Sequence, residues 1–180
     1  MPPKPNPEVA IRIREAKPGD AEATASIHVR SWQEAYRGQL SDDYLDGLRV
    51  EDRLEMHRSF LTAPPPDYRM WVAEMEDRPV GFAITGKSQD ADADDRTAEV
   101  YAIYLAPEHV GKGVGRQLFG HAMRDLSERR FTTATLWVLE TNERARRFYE
   151  IAGWEPDGTT SSERVDLEVR ATVRYRTELG

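Results

Sequence analysis

The residues of this 180-residue chain best suited to chemistry lie between Ala98 and Gly115. A run rich in β-branched and aromatic residues ends at Leu105 and is broken by Ala106 and Pro107. Gly111, Gly113 and Gly115 follow at alternate positions, interleaved with Lys112 and Val114, and an amphipathic pattern starts directly after them. That order spells strand, turn, glycine-rich loop and helix N-terminus. It sets backbone N–H groups at the positive end of a helix with no side chains to block close approach. Such a site favours phosphate or pyrophosphate.

Spacing separates the phosphate loops from one another. A nucleotide loop of the GxxxxGK type needs Ser or Thr after the lysine, and Lys112 is followed by Gly113. The dinucleotide fingerprint GxGxxG fails too. Counted from Gly111 its last glycine falls on Arg116, and counted from Gly113 it falls on Leu118. What remains, Val110-Gly111-Lys112-Gly113-Val114-Gly115, resembles the pyrophosphate loop of the GNAT family of N-acetyltransferases. That loop has Gln or Arg, two residues, Gly, one residue, then Gly or Ala. Val110 stands at the Gln or Arg position, which removes a polar side-chain contact and leaves the backbone cradle.

A second stretch resembles the family's other signature. A strand from Leu136 to Leu139 leads to Asn142, then a helix carries Ala145, Phe148, Tyr149 and Glu150 and stops at Gly153 and Trp154. The segment from Ser31 to Gly38, with Trp32 and Tyr36, is similar to a recurrent opening of bacterial members. The resemblance runs from Ile11 to Leu179.

The resemblance implies an α/β (α+β) fold, a mixed, mostly antiparallel central sheet flanked by helices. Two parallel strands would part near Leu105 to admit the cofactor, acetyl-CoA. The implied activity is acetyl transfer to a primary amine of a small molecule or peptide, by direct attack in a ternary complex. An alkyl ammonium near pKa ~10.4 must lose a proton first, so a base is useful at neutral pH. Glu99, before the glycine loop's strand, matches that base, with Glu140 a weaker rival. Tyr149 matches the phenol that protonates the departing thiolate. Ile103 and Leu105 would offer backbone groups to the pantetheine arm, which Asn142 also meets while capping its helix. Lys112 and Arg116 would add charge beside the pyrophosphate, around Val110, Gly111, Gly113, Val114 and Gly115. Trp32, Tyr36 and Tyr44 would wall the acceptor pocket. A non-catalytic acyl-CoA-binding module on the same scaffold is the alternative, and a homodimer through the last strands is compatible with the family.

Composition narrows the classes. An apolar fraction of 39% and a charged fraction of 32% describe a globular chain with a solvated surface. No apolar run nears the ~20 residues that span a bilayer. Residues 1–9 lack the apolar centre of a secretory signal and read as a disordered arm before one domain over 10–180, which predicts a cytoplasmic protein. Zero cysteines exclude disulfides and an acyl-cysteine intermediate, so transfer would be direct. A net charge of −7 argues against nucleic acid and favours cationic substrates. His28, His57, His109 and His121 are scattered and form no metal pattern.

The elements that must position these residues follow from periodicity. Ile11 to Ile13 alternates as a strand, and Asp20 is placed to cap a helix with Ala23, Ile27, Ser31 and Ala35 inward. Ser41 to Leu48 and Val50 to Leu61 predict two short helices. Met70 to Met75 and Val80 to Thr85 predict a hairpin. The acidic run Gln89 to Asp95 predicts a mobile loop, and Asp95 stands where a calcium loop needs its turn glycine. Strand alternation puts Glu99, Tyr101 and Ile103 on one face. A helix from Gly115 to Arg130 and a strand from Thr132 to Leu139 come next. Two last strands, near Trp154 and from Val169 to Thr177, flank a polar segment from Asp157 to Asp166.

Overall fold

The computed structural model describes residues 10–165 and 168–180, so the expected arm over residues 1–9 and position Asp166 lie outside the described residues. Among those described, seven strands form one sheet. They are β1 (Arg12–Glu15), β2 (Arg69–Met75), β3 (Arg78–Lys87), β4 (Thr97–Leu105), β5 (Thr133–Leu139), β6 (Glu155–Val165) and β7 (Glu168–Glu178). Their order is β1-β2-β3-β4-β5-β7-β6, and only the β4–β5 pair is parallel. The helices are α1 (Ala21–Ala35), α2 (Asp42–Gly47), α3 (Val50–Thr62), α4 (Val114–Glu128) and α5 (Glu143–Ile151). The α/β class with a mixed, mostly antiparallel sheet is the one the resemblance implies.

Two-residue alternation sorts the helices onto opposite faces. Val72 and Phe82 pack with Ile27 of α1 and Phe60 of α3. Their chain neighbours Ala73 and Ala83 turn the other way, to Val114 and Leu118 of α4. The β2–β3 hairpin closes through Glu76 and Asp77 at φ 49° and 59°, a left-handed pair that matches strand twist. Periodicity predicts an apolar stripe of Leu118, Phe119, Ala122, Met123 and Leu126 on α4; the helix buries four of these, and Met123 is partly covered. Gly153, at φ 86°, ends α5 as predicted, its N–H donating to the Glu150 carbonyl at 3.0 Å.

Three expectations are corrected. The inner face of α1 is Ala21, Thr24, Ala25, Ile27 and Val29, because the sheet claims a neighbouring sector; Ala23, Ser31 and Ala35 are only partly covered or line the cavity described below. Asp20 sits at the helix start, yet its carboxylate accepts from the Arg14 guanidinium at 2.7 and 2.9 Å rather than capping α1. The polar segment after Asp157 is strand up to Val165. An edge strand exposed along most of its length needs no apolar alternation, so the pattern that marks strands was missing.

The acidic run is also held in place. Arg174 of β7, 5% exposed, donates to Asp92 at 2.7 Å through two nitrogens, to Asp90 at 3.1 Å and to Asp157 at 2.7 Å. Trp137 adds an indole N–H to Asp90 at 3.0 Å. A nearly buried guanidinium needs carboxylates around it, and this run supplies two of the three.

Candidate active site

The parallel β4–β5 ladder lasts only three residues, Thr97 with Thr133, Ala98 with Ala134 and Glu99 with Thr135. Beyond Glu99 the strands part, well before the predicted point near Leu105. A bulge accompanies the parting. Val100 faces Thr85 and Ala102 faces Ile84, which leaves Tyr101 as an extra residue in β4. Bulges bend the strand that carries them and disrupt pairing.

The extra residue also reverses side-chain direction. Val100 and Ile103 pack on the cluster that contains Phe119 of α4, whereas Ala102 and Tyr104 pack beside Ile27 of α1. Glu99 and Tyr101 remain neighbours and Ile103 turns to the other face, against the simple alternation. The Ala106 N–H donates to the Val80 carbonyl at 2.8 Å. Antiparallel alternation then directs the backbone groups of Ile103 and Leu105 away from β3, to the edge that β5 has vacated.

A cavity of about 360 Å³ fills the parting. Residues 100–105 and 137–139 form its two edges. Val110, Gly115, Phe148 and Tyr149 close it on the α4 face; Trp32, Tyr36 and Glu163 close it on the α1 face.

The glycine loop borders the α4 face. Gly111 and Gly113 hold φ of 78° and 81°, and a side chain at either would meet nothing within 4 Å. Their open front and left-handed backbone suit a ligand that approaches the main chain. Gly113 precedes α4, so the N–H groups of Val114, Gly115 and Arg116 have no acceptor within the helix. Lys112 and Arg116 are exposed and Val114 is fully buried, anchoring the loop. Gly115 has a packing role instead. A Cβ there would lie 3.2 Å from the Leu105 side chain and 3.7 Å from Phe148.

Asn142 caps α5 as expected, accepting from the Ala145 N–H at 3.1 Å, and it lines the cavity. Tyr149, 9% exposed, lines it too, and its hydroxyl has no hydrogen-bond partner among the described residues. Burial, with the nearby Tyr104 and Tyr36, pushes this phenol well above its ordinary range and keeps it protonated. Trp32 and Tyr36 line the cavity, with rings 4.8 Å apart. Tyr44 does not. It packs beside Leu40 and Leu45 and supports those rings from below.

Glu99 sits behind the cavity wall rather than on it. It is 7% exposed and accepts from the Ser88 hydroxyl at 3.3 Å. Burial, and then the charge of Asp90, push its carboxyl up to about 7, against the backbone of Gln89 and the hydroxyls of Ser88 and Tyr101. Tyr101, which it touches, does line the cavity and donates to the Lys87 carbonyl at 2.7 Å. The rival Glu140 is exposed and off the cavity.

Tyr101, Tyr104 and Glu163 are site residues that sequence reasoning missed. The bulge that aims the two tyrosines has no glycine or proline to mark it. Glu163 lies in the stretch read only as a polar segment between two strands.

Comparison with known proteins gives the family. The model of the acetyltransferase (GNAT) family matches residues 23–154. The Mycobacterium tuberculosis protein named "Probable N-acetyltransferase Rv2775" is 32% identical over 151 residues, 83% of each chain. The peptidyl-lysine N-acetyltransferase YjaB of Escherichia coli is 32% identical over 152 residues, 83% of this chain and 86% of its own. In structure, the PaiA N-acetyltransferase of Thermoplasma acidophilum, solved with coenzyme A, superposes with a TM-score of 0.76 at 19% identity, over 94% of this chain and 99% of its own. The chain belongs to the GNAT acetyltransferase family and is an N-acetyltransferase.

Proposed function

We propose that the protein moves an acetyl group from acetyl-CoA directly to a primary amine, with both substrates in the cavity between β4 and β5. The observation that carries this reading is the parting after Glu99, which opens one cavity to both faces of the sheet. The residues fit the donor. Left-handed glycines with open space and free helix N–H groups suit a pyrophosphate, and the free β4 edge at Ile103 and Leu105 suits an amide-bearing arm. Bound there, acetyl-CoA supplies a thioester.

The chain's own groups do the rest. Asn142 and the β4 edge orient the arm. The Tyr149 hydroxyl donates a hydrogen bond to sulfur as charge develops there; its raised pKa favours donation over full release of the proton. Glu99 takes the amine proton through water, beside Tyr101, whose hydroxyl keeps its proton in a hydrogen bond to the Lys87 carbonyl. A carboxyl near 7 is matched to that task at neutral pH. The zero cysteine count excludes an acyl-cysteine carrier. An amine acceptor agrees with the peptidyl-lysine acceptor in the Escherichia coli relative's name.

Thiol release from acetyl-CoA against a panel of amines tests the reading. Wild-type activity should rise through an acidic limb centred at about 7. Glu99→Gln should remove that limb and lower kcat about 100-fold. An unchanged rate and profile would remove Glu99 from the mechanism.

A further inference from the structure

The α1 face of the cavity carries charge that the scheme above does not use. Glu163 lies two residues before Val165, on the same side of β6. Val165 is buried among Leu40, Leu45, Trp32 and Tyr36, so that side of the strand faces α1. Glu163 lines the cavity, and its charge reaches the hydroxyls of both Tyr36 and Tyr104. Its carboxylate makes no hydrogen bond or ion pair among the described residues. Glu34 of α1 also lines the cavity and is equally unpaired. The cation on the lining, Arg144, belongs to the first turn of α5, which packs with α4 on the opposite face. Among the residues that line the cavity, charge is therefore segregated, Arg144 on the glycine-loop side and Glu34 and Glu163 on the α1 side; Arg170, opposite Glu163 on β7, is paired with Glu168, and Arg53 reaches Tyr104 from outside the lining. Tyr149, nine-tenths buried, presents an unpartnered hydroxyl to the same cavity.

An acidic patch over aromatic rings is a receptor for a cation. A carboxylate beside an ammonium gains a charge-assisted hydrogen bond. Trp32 and Tyr36 add ring faces that attract cations and cover an alkyl chain. One ammonium must give up its proton to react, so a second cationic group is what two carboxylates retain. A substrate carboxylate in that position would face two like charges. Resting on the acyl-transfer reading, we propose that Glu163, with Glu34, selects the acceptor. The acceptor class is an alkyl amine with a second cationic group and no carboxylate nearby, either a free diamine or a lysine in a basic peptide.

Three acceptors of similar length test this: diaminopentane, pentylamine and aminohexanoate, which differ in the charge at the far end. Wild-type kcat/KM should fall in that order, by about 10–100-fold from first to last. Glu163→Gln should cost diaminopentane about tenfold, mainly in KM, and compress the series. Glu163→Lys should favour aminohexanoate. Adding a blocked lysine peptide with basic flanks separates the two sources of the cation, whichever is preferred. Equal rates across the wild-type series, or an equal loss with every acceptor in Glu163→Gln, would overturn the assignment while leaving acyl transfer intact. Silence with all four acceptors in a protein that still binds acetyl-CoA would instead overturn the acyl-transfer reading beneath it.

Discussion

The two sides of the cavity are built from different materials. On the α4 side a ligand meets main chain: the left-handed Gly111 and Gly113, the first N–H groups of α4, and the open β4 edge. On the α1 side it meets side chains drawn from opposite ends of the chain, Trp32 of α1, Tyr36 just after it and Glu163 of β6. A main-chain site is fixed by backbone conformation and accepts one kind of partner. A side-chain site can be re-specified one residue at a time with the fold untouched. In the proposed reading the donor is thus held by what cannot vary without strain, and the acceptor by what can.

Tyr149 is where this division should break first. It belongs to the α4 side, yet it serves the cavity through a side-chain hydroxyl. Tyr149→Phe should lower kcat about 100-fold, the scale of a lost proton donor. Thermal stability should stay within about 0.5 kcal/mol, since the hydroxyl has no partner to lose among the described residues. Kinetics and calorimetry on one preparation decide it. Unaltered kcat would reduce Tyr149 to a ring packed against Phe119, Phe148 and Trp154.

Gly113→Val sharpens the contrast. A β-branched residue at φ 81° costs about 1–3 kcal/mol of strain or shifts the loop. Coenzyme A should bind about 10–100-fold more weakly, while the acceptor KM stays within about twofold. Titration calorimetry with coenzyme A reads the first quantity directly. Full retention of affinity would remove the pyrophosphate from the start of α4.

The same division explains what was legible in the sequence. Glycine spacing, the Asn142 cap, the apolar stripe of α4 and the Gly153 stop are local signals, and each gave the right element. The acceptor side depends on contacts between distant segments. Tyr101 became an extra residue in β4 through its pairing with β3, which no local residue announces. Asp90 and Asp92 read as part of a mobile loop because their partner, Arg174, lies more than eighty residues away. The inner face of α1 was ambiguous for another reason. Alanine and serine occupy several of its sectors and fit either environment. Tyr44 shares its neighbours' aromatic character but supports the wall from outside.

The weakest effect expected belongs to the α1 side as well. His28 Nδ1 lies 3.2 Å from His57 Nε2, beneath Tyr104, whose ring stacks on His28 at 5.0 Å. Burial pushes both imidazoles down to about 4; for His28 the neighbouring His57 adds to this, and Arg53 disfavours charge on both. The unfolded chain then takes up protons first, near 6.5. Stability from this pair is complete above about 6.5 and is lost as pH falls toward 4. Partial solvent screening holds the loss to about 1–2 kcal/mol, or ~3–6 °C in Tm. His57→Leu should flatten that acid slope; near pH 7 it gives up the contact with His28 Nδ1 but also removes the unpartnered His57 Nδ1, for a net cost of about 1 kcal/mol. Acid should also raise the acceptor KM before the donor KM, since Tyr104 rests on the pair and the glycine loop does not. A variant as acid-sensitive as the wild type would move the titration elsewhere, and parallel changes in both KM values would show that the two sides are coupled rather than separate.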